Sequence, residues 1–218
     1  MEAIRVFVVE DQPKILKNLQ KVLERFDAIQ IVGRALSGEE ALESLEAAAP
    51  QVLLLDLGLP QMSGIDVTRE VRKRFPKVEI LIFTIFDEEE KVLEAIQAGA
   101  SGYLLKGMEA EKIVDAIQEV HAGGSVIQPN LARSLLRHFM FQPAPAVGAQ
   151  EPVPQLTSRE VEILQVIAKG LSNAEAARVL KVSRATIRTH LEHIYAKLSV
   201  SNRVEAITEG IRQGLIDV

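Results

Sequence analysis

Five short runs rich in β-branched residues and leucine alternate with stretches of helical length, and the alternation stops at a proline-rich segment. The runs are Ile4 to Val9, Ile29 to Ala35, Val52 to Leu55, Val78 to Phe83 and Gly102 to Leu105. Amphipathic stretches lie between them at Lys14 to Phe26, Gly38 to Ala48, Ile65 to Phe75 and Glu88 to Ala98, with Glu109 to His121 last. Such a β-α alternation predicts a doubly wound α/β fold, a parallel sheet with helices on both faces. IRVFVV, QVLLL and VEILIF are apolar on both alternate sets of positions, as central strands buried on both sides must be.

The break falls at Phe141 to Pro154, FQPAPAVGAQEPVP, where prolines and Gly148 interrupt every hydrophobic period. It predicts an extended linker, because proline removes a backbone donor and clashes with the preceding helical turn. The organisation expected is therefore an α/β domain over 1–122, a trailing helical segment over 123–140, a linker over 141–154 and an all-α domain over 155–218. A chain of 218 residues suits one ordinary core and one small one. No run approaches the roughly 18 apolar residues of a membrane helix, and the N-terminus lacks a signal-peptide pattern. A cytoplasmic chain with no membrane partner is expected. With no cysteine, disulfides, thiolate metal sites and thiol nucleophiles are excluded together.

Charge separates the same two parts. From Met1 to Asn130, 14 Lys and Arg face 22 Asp and Glu, whereas from Gln155 to Val218 9 face 7. Any nucleic-acid surface is thus expected in the C-terminal part.

Ligands of a doubly wound sheet gather at the carboxyl ends of its strands. Glu10 and Asp11 follow the first strand, Asp56 the third, Thr84 the fourth and Lys106 the fifth. Carboxylates brought together repel one another unless a cation and an ammonium compensate them. Oxygen ligands without His or Cys favour Mg²⁺. Asp56 is then placed to attack phosphorus, with Lys106 and the Thr84 hydroxyl stabilising the phosphoryl oxygens. Singly, each residue has an ordinary role too: Asp56 as a turn residue before Gly58 and Pro60, Lys106 as a solvated charge, Glu10 and Asp11 as caps near Pro13. Joint placement at the ends of separate strands favours the phosphoryl site.

The stretches VFVVEDQ, LLLDLGLPQMSGID, ILIFT and GASGYLLK, in this order and spacing, resemble the receiver domain of two-component response regulators. The resemblance covers 1–122 and implies a flavodoxin-like (βα)5 fold. It implies Asp56 as phosphoacceptor, Mg²⁺ held by Asp11, Asp56 and the Gly58 carbonyl with Glu10 assisting through water, and Thr84 and Lys106 on the phosphoryl oxygens. Tyr103 falls at the aromatic switch position, although an aromatic there also serves plain strand packing. Two positions depart from the pattern. Gly107 stands where many receivers have proline, so a cis-Lys-Pro bond is impossible, and bulky Ile85 and Phe86 follow Thr84, where they can slow access to Asp56.

Beyond Leu156 the pattern is wholly helical. Thr157 or Ser158 begins a capping-box-like start ending at Gly170, and Ser172 caps NAEAARVL. A KVS turn leads into RATIRTHLEHIYAKL, and a last helix runs from about Arg203 to Arg212 after Ser201 or Asn202. At about 100° per residue, Ile187, Leu191, Ile194 and Leu198 form one stripe of the third helix. Ala185, Thr189, Glu192 and Ala196 lie opposite, with Arg188 and His193 at the margins. That outward face of small and hydrogen-bonding residues suits a DNA major groove, with Arg188 reaching bases or phosphate and Lys181 and Arg184 reaching phosphate. Taken alone, the helix also reads as a solvated amphipathic one. LTSREVEIL, GLSNAEAARVL and VSRATIRTHLEHIYAKLSVSNRVEA resemble the four-helix LuxR-type helix-turn-helix domain of NarL/FixJ-like response regulators. Glu192 departs from the basic or neutral residue often found there.

Together the resemblances imply a transcription regulator phosphorylated by a sensor histidine kinase, dimerising on phosphorylation and binding promoter DNA. They imply no turnover enzyme, only a receiver that catalyses its own phosphotransfer and slow dephosphorylation. A phosphatase is the enzymatic alternative, but it requires a second acid where Gly58 stands. A phosphate-independent interaction module is the third reading, and the intact Asp56, Thr84 and Lys106 argue against it.

Overall fold

The structure, a computed structural model, describes residues 2–127 and 156–216. These form two compact units. In the first, β1 (Ile4–Val9), β2 (Ile29–Ala35), β3 (Val52–Leu55), β4 (Glu79–Thr84) and β5 (Gly102–Leu105) alternate with five helices. The helices are α1 (Pro13–Leu23), α2 (Gly38–Ala48), α3 (Gly64–Arg74), α4 (Glu89–Gln97) and α5 (Ala110–His121). A short β6 (Val126–Ile127) follows α5, and all strand pairings are parallel, in the order β2-β1-β3-β4-β5-β6.

The sixth strand corrects the expected trailing helical segment at its start. Val126–Ile127 pairs with Gly102 and Tyr103 as β6, and a two-residue strand is too short to carry a period that sequence can reveal. Residues 128–140 of that segment, and the linker at 141–154, lie outside the described residues. β4 sits one residue later than expected, so Thr84 is the last residue of the strand and pairs with Leu105.

Alternation within the strands divides the core. Ile4, Val6, Val8, Val52, Leu54, Leu81 and Leu104 pack against Leu16, Leu19 and Leu23 of α1 and Ile113, Ile117 and Val120 of α5. Phe7, Leu53, Leu55, Ile80 and Ile82 are equally buried on the alternate set of positions. Local chemistry starts the helices: Pro13 at the first turn of α1, and Ser37 and Ser63 accepting from Glu40 N and Asp66 N at α2 and α3.

The second unit comprises α6 (Ser158–Ala168), α7 (Asn173–Leu180), α8 (Arg184–Leu198) and α9 (Arg203–Arg212). Thr157 with Glu160, and Ser172 with Glu175, form complete capping boxes. Lys181 takes the left-handed conformation (φ 55°) that ends α7, and Ser183 caps α8 by accepting from Thr186 N. Of the two candidates for the last cap, Asn202 serves, accepting from Glu205 N. Ile187, Leu191, Ile194 and Leu198 are all buried with Ile163, Leu164 and Ile167 of α6, each such side chain contributing about 1.5–3 kcal/mol.

Arg203 is buried at the start of α9, where its guanidinium donates to the carbonyls of Ile167 and Leu171 and to Asn173 Oδ1. It ties the connection between α6 and α7 to α9 by donating to carbonyls at and just past the C-terminus of α6. No helix of the described residues is long and apolar enough to cross a membrane.

Candidate functional site at the carboxyl edge of the sheet

The strand order reverses at β1, which lies between β2 and β3. The loops after β1 and β3 therefore diverge and open a crevice at their carboxyl ends. Glu10 and Asp11 leave β1 on one side of it and Asp56 leaves β3 on the other. Asp56 N donates to Val9 O at 3.0 Å, which fixes the Asp56 backbone to the end of β1. Carboxylate oxygens of Glu10, Asp11 and Asp56 all lie within 4.8 Å of one another.

Lys106, just past β5, reaches across to this cluster. Its Nζ lies 2.6 Å from Asp56 Oδ2 and 2.6 Å from Glu10 Oε2. Gly58 N donates to the other Asp56 oxygen at 3.2 Å. Burial pushes the Glu10 carboxyl up, Lys106 opposes this, and the net direction is upward. For Lys106, burial pulls the ammonium down, but its bonds to Asp56 and Glu10 outweigh that and hold it above its ordinary value.

Thr84 is fully buried, and its Oγ1 has no hydrogen-bond partner. An unpartnered buried hydroxyl costs about 1–3 kcal/mol, so Thr84, at the carboxyl end of β4, is a donor with nothing to receive its proton. Tyr103 is also fully buried, and its hydroxyl donates to Phe86 O at 2.9 Å. Burial, then the charges of Glu88, Asp56 and Asp87, push the phenol well above its usual value, so it stays a donor. The Tyr103 side chain thus packs inward and is tied to the loop after Thr84.

The departures at Gly107 and Phe86 have clear local forms. Lys106 N donates to Thr84 O at 2.7 Å, and Gly107 turns the chain at φ 96°. Proline, held near −65°, cannot take that turn. Among the described residues no peptide bond is cis. A Cβ added to Gly58 would lie 3.4 Å from the Phe86 ring and 3.7 Å from Asp56 Oδ2, so ring and carboxylate flank the same glycine.

One supporting residue was not singled out from the sequence. A Cβ on Gly64 would stand 2.2 Å from Asp56 O and 2.7 Å from Leu57 Cα. Only glycine lets the start of α3 approach the backbone that carries Asp56. A lone glycine before a helix is too common a signal to reveal this.

On the second unit, Arg184, Ala185, Thr189, Glu192, His193 and Ala196 are exposed on α8, and Lys181, at the end of α7, is exposed too. Thr189 Oγ1 donates back to Ala185 O at 3.2 Å. Arg188 and Glu192 pair at 3.5 Å along the helix, which places the acidic departure beside the arginine. Both are substantially exposed, so the pair itself contributes little to stability.

Residues 6–118 match the response regulator receiver domain family, and residues 154–209 match the luxR family of bacterial regulatory proteins. The transcriptional regulatory protein DegU of Brevibacillus brevis is 30% identical, over 99% of this chain and 96% of its own. The nitrate/nitrite response regulator protein NarL of Escherichia coli K12 is 34% identical, over 94% of each. Among solved structures, the response regulator ChrA of a heme-sensing two-component system superposes with a TM-score of 0.53 at 35% identity, covering 99% of this chain and 100% of its own. With both units matched and full-length relatives aligned across the break between them, the chain belongs to the two-component response regulators that join a receiver domain to a LuxR-type DNA-binding domain.

Proposed function

We propose that Asp56 is the phosphoacceptor through which a sensor histidine kinase controls promoter binding by α8. The observation that carries the reading is the placement of the Lys106 ammonium against Asp56, on the sheet edge where β4 ends in a buried Thr84 hydroxyl that lacks an acceptor. A phosphoryl group on Asp56 supplies that acceptor, and Lys106 neutralises charge on its equatorial oxygens. Glu10, Asp11, Asp56 and the Gly58 carbonyl would hold Mg²⁺, for which the all-oxygen set is suited. When bound, Mg²⁺ supplies charge compensation for the carboxylates and the phosphoryl oxygens.

The receiver promotes its own phosphotransfer and slow dephosphorylation rather than turning over a separate substrate. Phe86, flanking the Asp56 carboxylate at Gly58, limits the approach of water. Tyr103 and Thr84 adjoin the same loop, so engaging the Thr84 hydroxyl biases the loop that Tyr103 holds through the Phe86 carbonyl. The output is dimerisation, which brings two α8 helices to two half-sites of duplex DNA. Arg188, Thr189, Glu192 and His193 face the groove, and Lys181 and Arg184 lie near the helix start against phosphates. The protein acts in the cytoplasm, where its kinase and promoter partners are.

The test is Asp56→Asn in the full chain, incubated with acetyl phosphate and Mg²⁺. Label incorporation and any phosphodonor-dependent gain in mass and DNA affinity are expected to disappear. Labelling equal to the unmodified chain would overturn the assignment.

A further inference from the structure

In the second unit Glu160 and His190, neither of them assigned to the DNA face, meet His193, which is assigned to it. Glu160, on the first turn of α6, and His190 and His193, three residues apart on α8, each present one ligand atom, and these atoms lie within 4.8 Å of one another. From these residues we infer that the DNA-binding domain holds a divalent transition metal ion of the zinc class.

Three features support the site. The Glu160 carboxylate is buried and held in place. Its Oε2 accepts from Thr157 N, Thr157 Oγ1 and Lys197 Nζ, and those bonds leave Oε1 to a ligand. The Nδ1 of His190 is buried and has no hydrogen-bond partner, an arrangement native proteins rarely leave uncompensated. Coordination through Nδ1 would compensate it. The third ligand, His193, is exposed.

The donor set identifies the ion. Two imidazoles with one carboxylate match catalytic-type zinc coordination and are poorly suited to Mg²⁺ or Ca²⁺, which take oxygen ligands. In a tetrahedral site with bonds of about 2.0–2.1 Å the ligand atoms stand about 3.3 Å apart. The three atoms lie no more than 4.8 Å apart, so closure to that spacing is a movement of at most about 1.5 Å. Water fills the fourth position. The Lys197 ammonium at 2.6 Å from Glu160 Oε2 opposes a cation, which places the affinity below that of a closed four-ligand structural site. Occupancy pins α6 to α8 and adds positive charge beside the proposed DNA face.

The experiment uses the full chain, stripped with EDTA and held in excess Mg²⁺ to occupy the acidic cluster of the receiver. Zn²⁺ is titrated calorimetrically and Co²⁺ by visible absorption. Compared with His193→Ala, the unmodified chain is expected to bind one additional equivalent of Zn²⁺ and to show the intense bands of four-coordinate Co²⁺. Loss of a ligand should weaken binding beyond the about 10–100-fold that loss of an outer-shell partner costs. His190→Ala should repeat the effect, and the metal-free melting of His193→Ala should be unchanged because that side chain is exposed. Equal Zn²⁺ binding by the unmodified chain and His193→Ala, or no such binding by either, would overturn the site.

Discussion

Replacing Lys106 with methionine keeps most of the side-chain length and removes the charge that lies 2.6 Å from both Glu10 and Asp56. Side-chain exposure is 11% for Lys106, 1% for Glu10 and 5% for Asp56, so water cannot replace the lost ammonium without entering the crevice. Breaking a buried ion pair by removing one partner costs about 3–5 kcal/mol, because the other charge is left uncompensated. Here two carboxylates are left, with the Asp11 carboxylate within 4.8 Å. For a domain of this size 1 kcal/mol corresponds to about 4 °C, so the receiver transition should fall by about 12–20 °C in EDTA. Scanning calorimetry of the full chain measures this. Added Mg²⁺ should restore more stability to the variant than to the unmodified protein, since the variant has the more strongly negative cluster. A fall of less than about 4 °C, or an equal Mg²⁺ effect on both proteins, would mean that Lys106 is an ordinary solvated charge.

Thr84→Val replaces an unpartnered buried hydroxyl with a methyl of the same shape. It is expected to stabilise the unphosphorylated receiver by up to about 1–3 kcal/mol in denaturant titration, while abolishing the phosphodonor-dependent rise in DNA affinity. Gly64→Ala drives a Cβ into Asp56 O and Leu57 Cα, so it should cost at least about 1–3 kcal/mol and slow acetyl-phosphate labelling of Asp56, read from the labelling rate. Arg188→Ala should weaken binding to a cognate promoter fragment by about 1–3 kcal/mol if the guanidinium contacts a base. Unchanged promoter affinity in a mobility-shift titration would remove Arg188 from the interface.

Much of the molecule could be read from sequence because the governing physics is local. Strand runs buried on both faces read as continuous apolar stretches. The period of α8 picked out Ile187, Leu191, Ile194 and Leu198 as the buried stripe, and all four are buried. Caps such as Ser172 and Thr157 act within three residues of themselves, so their chemistry is visible in any short window. The gathering of Glu10, Asp11, Asp56, Thr84 and Lys106 at one edge was also legible, since parallel strands all present their carboxyl ends on the same side.

What sequence left open depends on which distant groups meet. β6 exists only because Val126 and Ile127 find the free edge of β5, and a two-residue strand has no period of its own. Gly64 looks like any helix-start glycine until the Asp56 backbone arrives beside it. Arg203 reads only as the first residue of the last helix, yet it is buried, with the carbonyls of Ile167 and Leu171 there to receive it. Sequence placed Lys106 at the correct edge but could not make it the shared partner of Glu10 and Asp56. That required the tertiary approach of β1, β3 and β5 to within one hydrogen bond, where burial makes a single ammonium decisive for two carboxylates.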